Sequence, residues 1–431
     1  MALTVLATGD IHIGKKSSNI KDDAVEGATK YTWDRIVDYV IKNNVDVLAL
    51  TGDIVDQDNR YFEAIGPLQS GFERLKQSNI SVYMVAGNHD FEVLPQLVDS
   101  EKHSNIRLLG ANGTWEMDTF SKNGKNIQFI GWSFPKKYVS EDPLLSFKIS
   151  EIDPNLTTIG ILHGDVGVDN SNYAPIDINN FMSHSVQAWI LGHIHKPEIL
   201  NKSEPIVYYP GSPHALSAKE QGIHGPILLT INSQTDIEIK QIPLSPVRYE
   251  TLSVDITDKT DEASVRETVT SKLYEDAQSK KIELENVLFI IYDLILIGEH
   301  SKIKDLETWV NPIIADYDQE IEGVATQISV RKIELDVQPK VENMEELAKE
   351  SSPAGVLAKT IIALQQGKTT EFADNLLQEW KSICNSINQS GTYHALRTTE
   401  RFEIDENQDS TQYLLKECNR ILTELIGQQN Q

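Results

Sequence analysis

Three apolar, largely β-branched runs, residues 3–7, 45–50 and 82–86, each lead into a glycine followed at once by metal-ligand side chains. A buried strand that stops at a glycine puts its next side chains on the turn just past the strand. Open α/β sheets place their active sites at that edge. The three turns read Gly9-Asp10-Ile11-His12, Gly52-Asp53-Ile54-Val55-Asp56 and Gly87-Asn88-His89-Asp90, and two later runs, His163-Gly164-Asp165 and Gly192-His193-Ile194-His195, repeat the same residue types. Helical patterns over residues 33–43 and 62–77 separate the first three strands, which implies βαβ crossovers and a parallel half-sheet.

The residue types select the chemistry. Imidazole mixed with carboxylate or amide, and no thiolate, suits manganese, iron or zinc better than a soft or calcium-type site. Taken singly, each run is weak: Asp-x-His occurs by chance, Gly-Asn-His-Asp also makes a type I turn, and a lone histidine is usually a hydrogen-bonded structural residue. Five such runs, in order and each after a candidate strand, would fill two metal sites.

The set and its order resemble the calcineurin-like metallophosphoesterase superfamily. Residues 33–90, with Asp34-Arg35-Ile36-Val37, Thr51-Gly52-Asp53, Gln69-Ser70-Gly71-Phe72 and Val85-Ala86-Gly87-Asn88-His89-Asp90, are most similar to SbcD-type DNA repair exonuclease subunits. Tyr209-Pro210-Gly211-Ser212-Pro213, Glu220-Gln221-Gly222 and His224-Gly225-Pro226 resemble the YhaO-type bacterial branch. The resemblance covers residues 1 to 240 strongly and the remainder weakly.

It implies a two-metal phosphodiesterase. Asp10, His12, Asp53 and His195 would hold one divalent ion, with Mn2+ the expected metal, and Asp53, Asn88, His163 and His193 the other. Asp53 is the candidate bridge, since one carboxylate can give an oxygen to each of two cations about 3.5–4 Å apart. His193 and His195, at i and i+2 on extended chain, point to opposite faces unless a turn intervenes. His89 would stabilise the phosphoryl transition state and protonate the leaving oxygen, with Asp90 accepting from its other ring nitrogen. Asp56 fits equally well as a support for the ligands and as a helix N-cap. Where relatives often have an arginine, this chain has His214-Ala215-Leu216. His103, His184, His224, His300 and His394 belong to no motif.

A net charge of −25 argues against autonomous DNA binding, because polyanion binders usually present basic faces. Nearly half of the excess lies in residues 251–350, with 11 basic and 23 acidic side chains. Lys15, Lys16, Lys21, Lys136 and Lys137 are candidate phosphate-facing groups, although a solvated lysine surface is the plainer account of each. DNA binding by the chain alone should therefore be weak. The resemblance implies an SbcC-type coiled-coil ABC ATPase as partner, and a homodimer is expected. A phosphatase or phosphodiesterase for nucleotides or other small phosphoesters is the alternative, and the acidic surface suits it better. The 180 or so residues after Ile242 exceed what a small-molecule phosphatase of this fold requires.

Length sets about two or three domains. The expected architecture is α/β: a metallophosphoesterase β-sandwich flanked by helices over residues 1–242, an α/β capping domain over 248–338, and a helical region over 342–431. The last is either packed on its own chain or a docking element for the ATPase, with Val356, Leu357, Ile361, Ile362 and Leu364 on one apolar side. Ser352-Pro353 should start its first helix. No apolar stretch is long enough to span a bilayer, and residues 1–7 read as a strand and not as a signal peptide, so a cytoplasmic location is expected. Cys384 and Cys418 fit small buried hydrophobes.

Overall fold

The computed structural model describes residues 2–20, 24–56, 62–98, 104–148, 152–168, 170–340, 344–389 and 408–429. The chain divides into two compact units: Met1–Glu250 with Ala277–Tyr292 and Asp318–Arg331, and Thr251–Asp276 with Asp293–Tyr317 and Lys332–Gln431.

The first unit opens with β1 (Leu3–Thr8), β2 (Val47–Leu50), β3 (Ser81–Met84) and β4 (Ile106–Leu108), with helices α1 (Thr29–Lys42) and α2 (Phe62–Gln77) between the first three strands. It continues through β5 (Trp115–Lys122), β6 (Lys125–Trp132), β7 (Thr157–His163), β8 (Asp165–Val166), β9 (Pro175–Ile176) and β10 (Ala188–Gly192). Then come β11 (Glu198–Asn201), β12 (Ile206–Tyr209), β13 (Ile227–Ser233) and β14 (Asp236–Gln241). One six-stranded sheet is ordered β14-β13-β1-β2-β3-β4 and the other β11-β12-β10-β7-β6-β5.

Alternation along the strands builds the layers. Leu6, Leu48, Leu50 and Met84 face the helices and meet Trp33, Ile36, Val40 and Phe72. Their neighbours Val5, Ala7, Val47 and Ala49 share the inter-sheet core with Phe129, Ile159, Ile161 and Ile190. Both faces of these strands are covered, which is why they read as continuous apolar runs. The β-sandwich flanked by helices is therefore as the sequence implies.

Register then sets the site. Parallel pairing puts Thr8 opposite Leu50 and Leu50 opposite Met84, so the first three turns begin level. In the second sheet His163 pairs with Gly192, which brings the last two motifs side by side.

Beyond the sandwich, β15 (Val247–Asp255), β16 (Phe289–His300), β17 (Gln319–Glu320) and β18 (Gln327–Pro339) form a sheet ordered β15-β16-β18-β17. The expected 248–338 segment is thus divided between the units. Helices α3 (Glu262–Ser279) and α4 (Ile303–Asp316) alternate with these strands.

In the second unit α5 (Pro353–Gln365) precedes α6 (Glu371–Gln389) and α7 (Gln408–Gln429). Ser352 caps α5, its hydroxyl accepting from the Gly355 amide at 3.1 Å, and Pro353 follows with no amide to satisfy. Leu357 and Ile361 pack with Cys418 and Leu422 of α7. The apolar side proposed for docking is therefore occupied by the chain's own helix, and Val356, 45% exposed, does not belong to it. Among the described residues no helix is long and apolar enough to cross a membrane.

Candidate metal centre

The site is built from strained turns. Asp10, His12 and Asp53 sit at φ of 51°, 50° and 50°, and His193 at 103°, in the left-handed region that side chains with a Cβ seldom enter. The first turn is strapped to the second: the Asp10 and His12 amides donate to the carbonyls of Gly52 and Asp53, both at 3.0 Å. His193 is where β10 stops, and its backbone breaks the alternation that would otherwise send His193 and His195 to opposite faces.

Close approach fixes the glycines. A Cβ at Gly87 would lie 2.2 Å from Asp53 Oδ1, and one at Gly192 would lie 2.2 Å from the Thr51 carbonyl oxygen. Any other residue would drive the turns apart.

Among the described residues three donor groups result. Asp10, His12 and His195 converge on one point, Asp53, His163 and His193 on a second, and the third, His12 with Asp56 and His89, shares His12 with the first. In the first, the Nε2 atoms of His12 and His195 lie 3.2 Å apart. Asp10 accepts the His193 amide on both carboxylate oxygens, at 3.0 Å each, which ties the clusters together. In the second, His163 Nε2 lies 3.1 Å from Asn88 Oδ1 and 3.4 Å from Asp53 Oδ2. Asn88 thus joins the second cluster through its amide oxygen.

This donor set fits divalent cations. Imidazole nitrogens and carboxylates face one another in a buried place, and only a cation serves all of them at once. Electrostatics agree. Burial works against charge on His163, yet the facing Asp53 carboxylate pushes it up to about 9. Burial likewise opposes charge on Asp53, and His163 outweighs it and holds the carboxyl well below its usual range. A proton on His163 stands where positive charge is wanted.

Each candidate ligand histidine has a hydrogen-bond or carboxylate partner for a second ring nitrogen, the arrangement that sets tautomer and ring orientation. His163 Nδ1 lies 2.9 Å from the Thr51 carbonyl oxygen, His195 Nδ1 lies 2.8 Å from Glu220 Oε1, and His193 Nε2 lies 3.4 Å from Asp165 Oδ1. His12 Nδ1 faces Asp56 at 3.5 Å. Asp165 and Glu220 both stand in motifs visible in the sequence, but their role of orienting a histidine ring is not legible there. Glu220 stands 25 positions from its histidine, and no spacing rule links them.

His89 is placed differently from the expectation. Its amide donates to Asp53 Oδ1 at 2.9 Å, and its half-buried ring, 30% exposed, stands 5.0 Å from that of His12. Its Nδ1 faces Asp56 at 3.6 Å, not Asp90. Asp90 is fully buried and spends its carboxylate on the amides of Gly87 at 2.8 Å and Ile54 at 2.7 Å. It is a clamp between two turns, and burial together with the Asp53 charge pushes it up to about 7. Asp56 takes the position expected of Asp90: Lys15 Nζ lies 3.0 Å away. Burial would raise its carboxyl, but His12 and Lys15 hold it down to about 2.

His214, standing where the relatives' arginine is expected, is fully buried and cannot touch a substrate. Its Nδ1 lies 2.7 Å from Thr32 Oγ1 and its Nε2 2.7 Å from Ser17 Oγ. His224 and His300 are buried and belong to no donor group, and His184 packs on Phe147. Lys21, His103 and His394 lie outside the described residues.

Residues 3–197 match the calcineurin-like phosphoesterase family. Among curated proteins, the uncharacterized metallophosphoesterase YhaO of Bacillus subtilis is 28% identical over 59% of this chain and 64% of its own length. The DNA double-strand break repair protein Mre11 of Methanocaldococcus jannaschii is 25% identical over 49% of this chain and 56% of its own. A subunit of the nuclease SbcCD from Staphylococcus epidermidis is 24% identical, covering 57% and 71%. The alignments thus span less than two thirds of the first two relatives. Among solved structures, a dimetal phosphatase from Danio rerio is 14% identical over 56% of this chain and 98% of that one, with a TM-score of 0.34.

Proposed function

We propose that this chain, whose residues 3–197 match the calcineurin-like phosphoesterase family, is a metal-dependent phosphoester hydrolase of that kind and the nuclease subunit of a DNA-end processing complex. The observation that supports phosphodiester chemistry is the pair of tied donor clusters beside a half-exposed His89. Asp10, His12, Asp53 and His195 would hold one divalent ion and Asp53, Asn88, His163 and His193 the other, with Mn2+ the expected metal. When bound, the two ions supply an activated water and neutralise charge on the phosphoryl oxygens.

The chain's own groups do the rest. His89 stands at the open side of the clusters, where its ring can donate to the leaving oxygen. Asp56 faces its Nδ1 and so orients the ring, and Asp90 locks the turn that carries it. The similarity to Mre11 and to the SbcCD nuclease favours DNA as substrate and an SbcC-type ATPase as partner. Cleavage of linear DNA and of bis(p-nitrophenyl) phosphate should both require an added divalent cation, with Mn2+ best. Undiminished cleavage after exhaustive chelation would overturn the metal role.

One observation favours the alternative of a small phosphoester hydrolase, namely the net charge of −25. Turnover of nucleotides at rates far above those on any DNA, with or without a partner, would select it.

A further inference from the structure

A line of rings leaves the second donor cluster for solvent. The His193 ring packs against Tyr173 with centroids 5.0 Å apart and planes at 36°. Tyr173 in turn meets Tyr138 at 5.8 Å and 50°, and Lys137 Nζ stands 5.8 Å from the Tyr138 centroid. Tyr138 is 52% exposed. A single exposed aromatic needs no explanation, but this one continues a path that begins at a candidate metal ligand.

The path is held in place. Val139 and Tyr173 form a parallel bridge, the Val139 amide donating to the Asn172 carbonyl at 2.8 Å and the Ala174 amide to the Val139 carbonyl at 2.7 Å. Ala174, at φ 53°, takes the left-handed turn that follows Tyr173. The Tyr173 amide also donates to Ser171 Oγ at 3.0 Å, and that hydroxyl donates to Asp165, the carboxylate that faces His193. Strain kept at such a place by surrounding bonds is the mark of a segment positioned for use.

We propose that Tyr173 and Tyr138 are a stacking platform for the nucleobase next to the scissile phosphate. The inference rests on the nuclease reading and names the substrate feature that the site recognises. Each ring-to-ring step is 5 to 6 Å, and bases along a strand are spaced about 3.4 Å apart, so the two tyrosines serve the first few nucleotides beside the metals. Every base offers a π-face, so the contact tolerates any sequence. It also needs no counterion release, the driving force that a chain with a net charge of −25 largely lacks. Lys137 adds a cation beside the Tyr138 ring, where a flanking phosphate would pass.

The test uses the full chain with Mn2+ and single-stranded oligonucleotides that have one cleavable linkage. The flanking position carries either 2-aminopurine or an abasic residue. Tyr138→Ala is expected to raise KM about tenfold on the base-bearing strand, within the usual worth of one stacked base, and far less on the abasic strand. The quenching of 2-aminopurine seen on binding to the unaltered chain should be lost in Tyr138→Ala and kept in Tyr138→Trp. Equal KM increases on both strands, or quenching that survives Tyr138→Ala, would overturn the platform. Should the unaltered chain cleave no oligonucleotide at all, the nuclease reading fails by itself. Quenching of 2-aminopurine nucleoside monophosphate then decides the platform alone: Tyr138-dependent quenching supports it, and its absence rejects it.

Discussion

Asp53 meets two demands at once, its Oδ1 accepting the His89 amide and its Oδ2 facing His163. Asp53→Asn keeps the shape and removes the charge that two cations would share, so the protein should come through gel filtration depleted of metal. His89→Ala leaves the clusters Asp10-His12-His195 and Asp53-His163-His193 intact and should keep its metal while losing cleavage by about 10²–10⁴-fold. Elemental analysis beside rate measurements separates the two, and an empty His89→Ala with a fully loaded Asp53→Asn would reverse the assignment. Glu220 offers a finer case. Its carboxylate accepts from His195 and from the Leu216 amide at 2.6 Å. Glu220→Gln should lower metal affinity by about 10–100-fold, read by competition with a chelator. Unchanged affinity would reduce Glu220 to a fastener of the 216–220 loop.

Between elements, His214 ties the loop after β12 to α1 and to the segment before it, through Thr32, Ser17 and the Gly27 carbonyl. Burial pushes its imidazole down to about 4, with Gly27 and Glu220 opposing and His224 and Arg35 assisting. The unfolded chain protonates this group near 6.5, so its contribution to stability is full above that pH and is lost as pH falls toward 4. The gap amounts to about 3 kcal/mol. His214→Asn should therefore show a smaller fall in urea midpoint between pH 7 and 4.5 than the unaltered chain, and equal slopes would assign the acid lability to other groups. Nothing in the sequence around His214 announces this role, because its partners lie 182 and 197 positions away. The elements themselves were more legible. Continuous apolar runs give β1, β2 and β3 because both faces of that sheet are covered, and Asn123-Gly124, at φ 53° and 77°, closes the β5–β6 hairpin as such a pair should. The metal-ligand candidates were visible as glycine-bounded motifs. Asp56, Asp90 and Glu220 were misjudged or unassigned because a supporting carboxylate is recognised by which ring it faces, and that depends on sheet register.

At the scale of the whole molecule, charge and apolar surface make opposite statements about partners. A net charge of −25 gives a nucleic acid little to hold, while α6 and α7 expose Leu376, Trp380, Ile383 and Tyr413 around a cavity of about 240 Å³. Trp380 and Tyr413 stack there at 5.8 Å and 26°. The α5 side that sequence alone suggested for docking is covered, so this second groove is the better place for the proposed ATPase. Alone, the chain should bind DNA at physiological salt no more tightly than about 10⁻⁶ M, the range of purely non-specific contacts. With the ATPase the affinity should rise, as followed by fluorescence anisotropy. Trp380→Ala combined with Tyr413→Ala should abolish both that rise and co-purification, while hydrolysis of bis(p-nitrophenyl) phosphate stays intact because these residues lie in the second unit, outside the metal centre's unit. A double variant that still co-purifies and still gains affinity would move the docking surface elsewhere. Tight binding of DNA by the isolated chain would remove the need for a partner's basic surface, and with it the argument from charge.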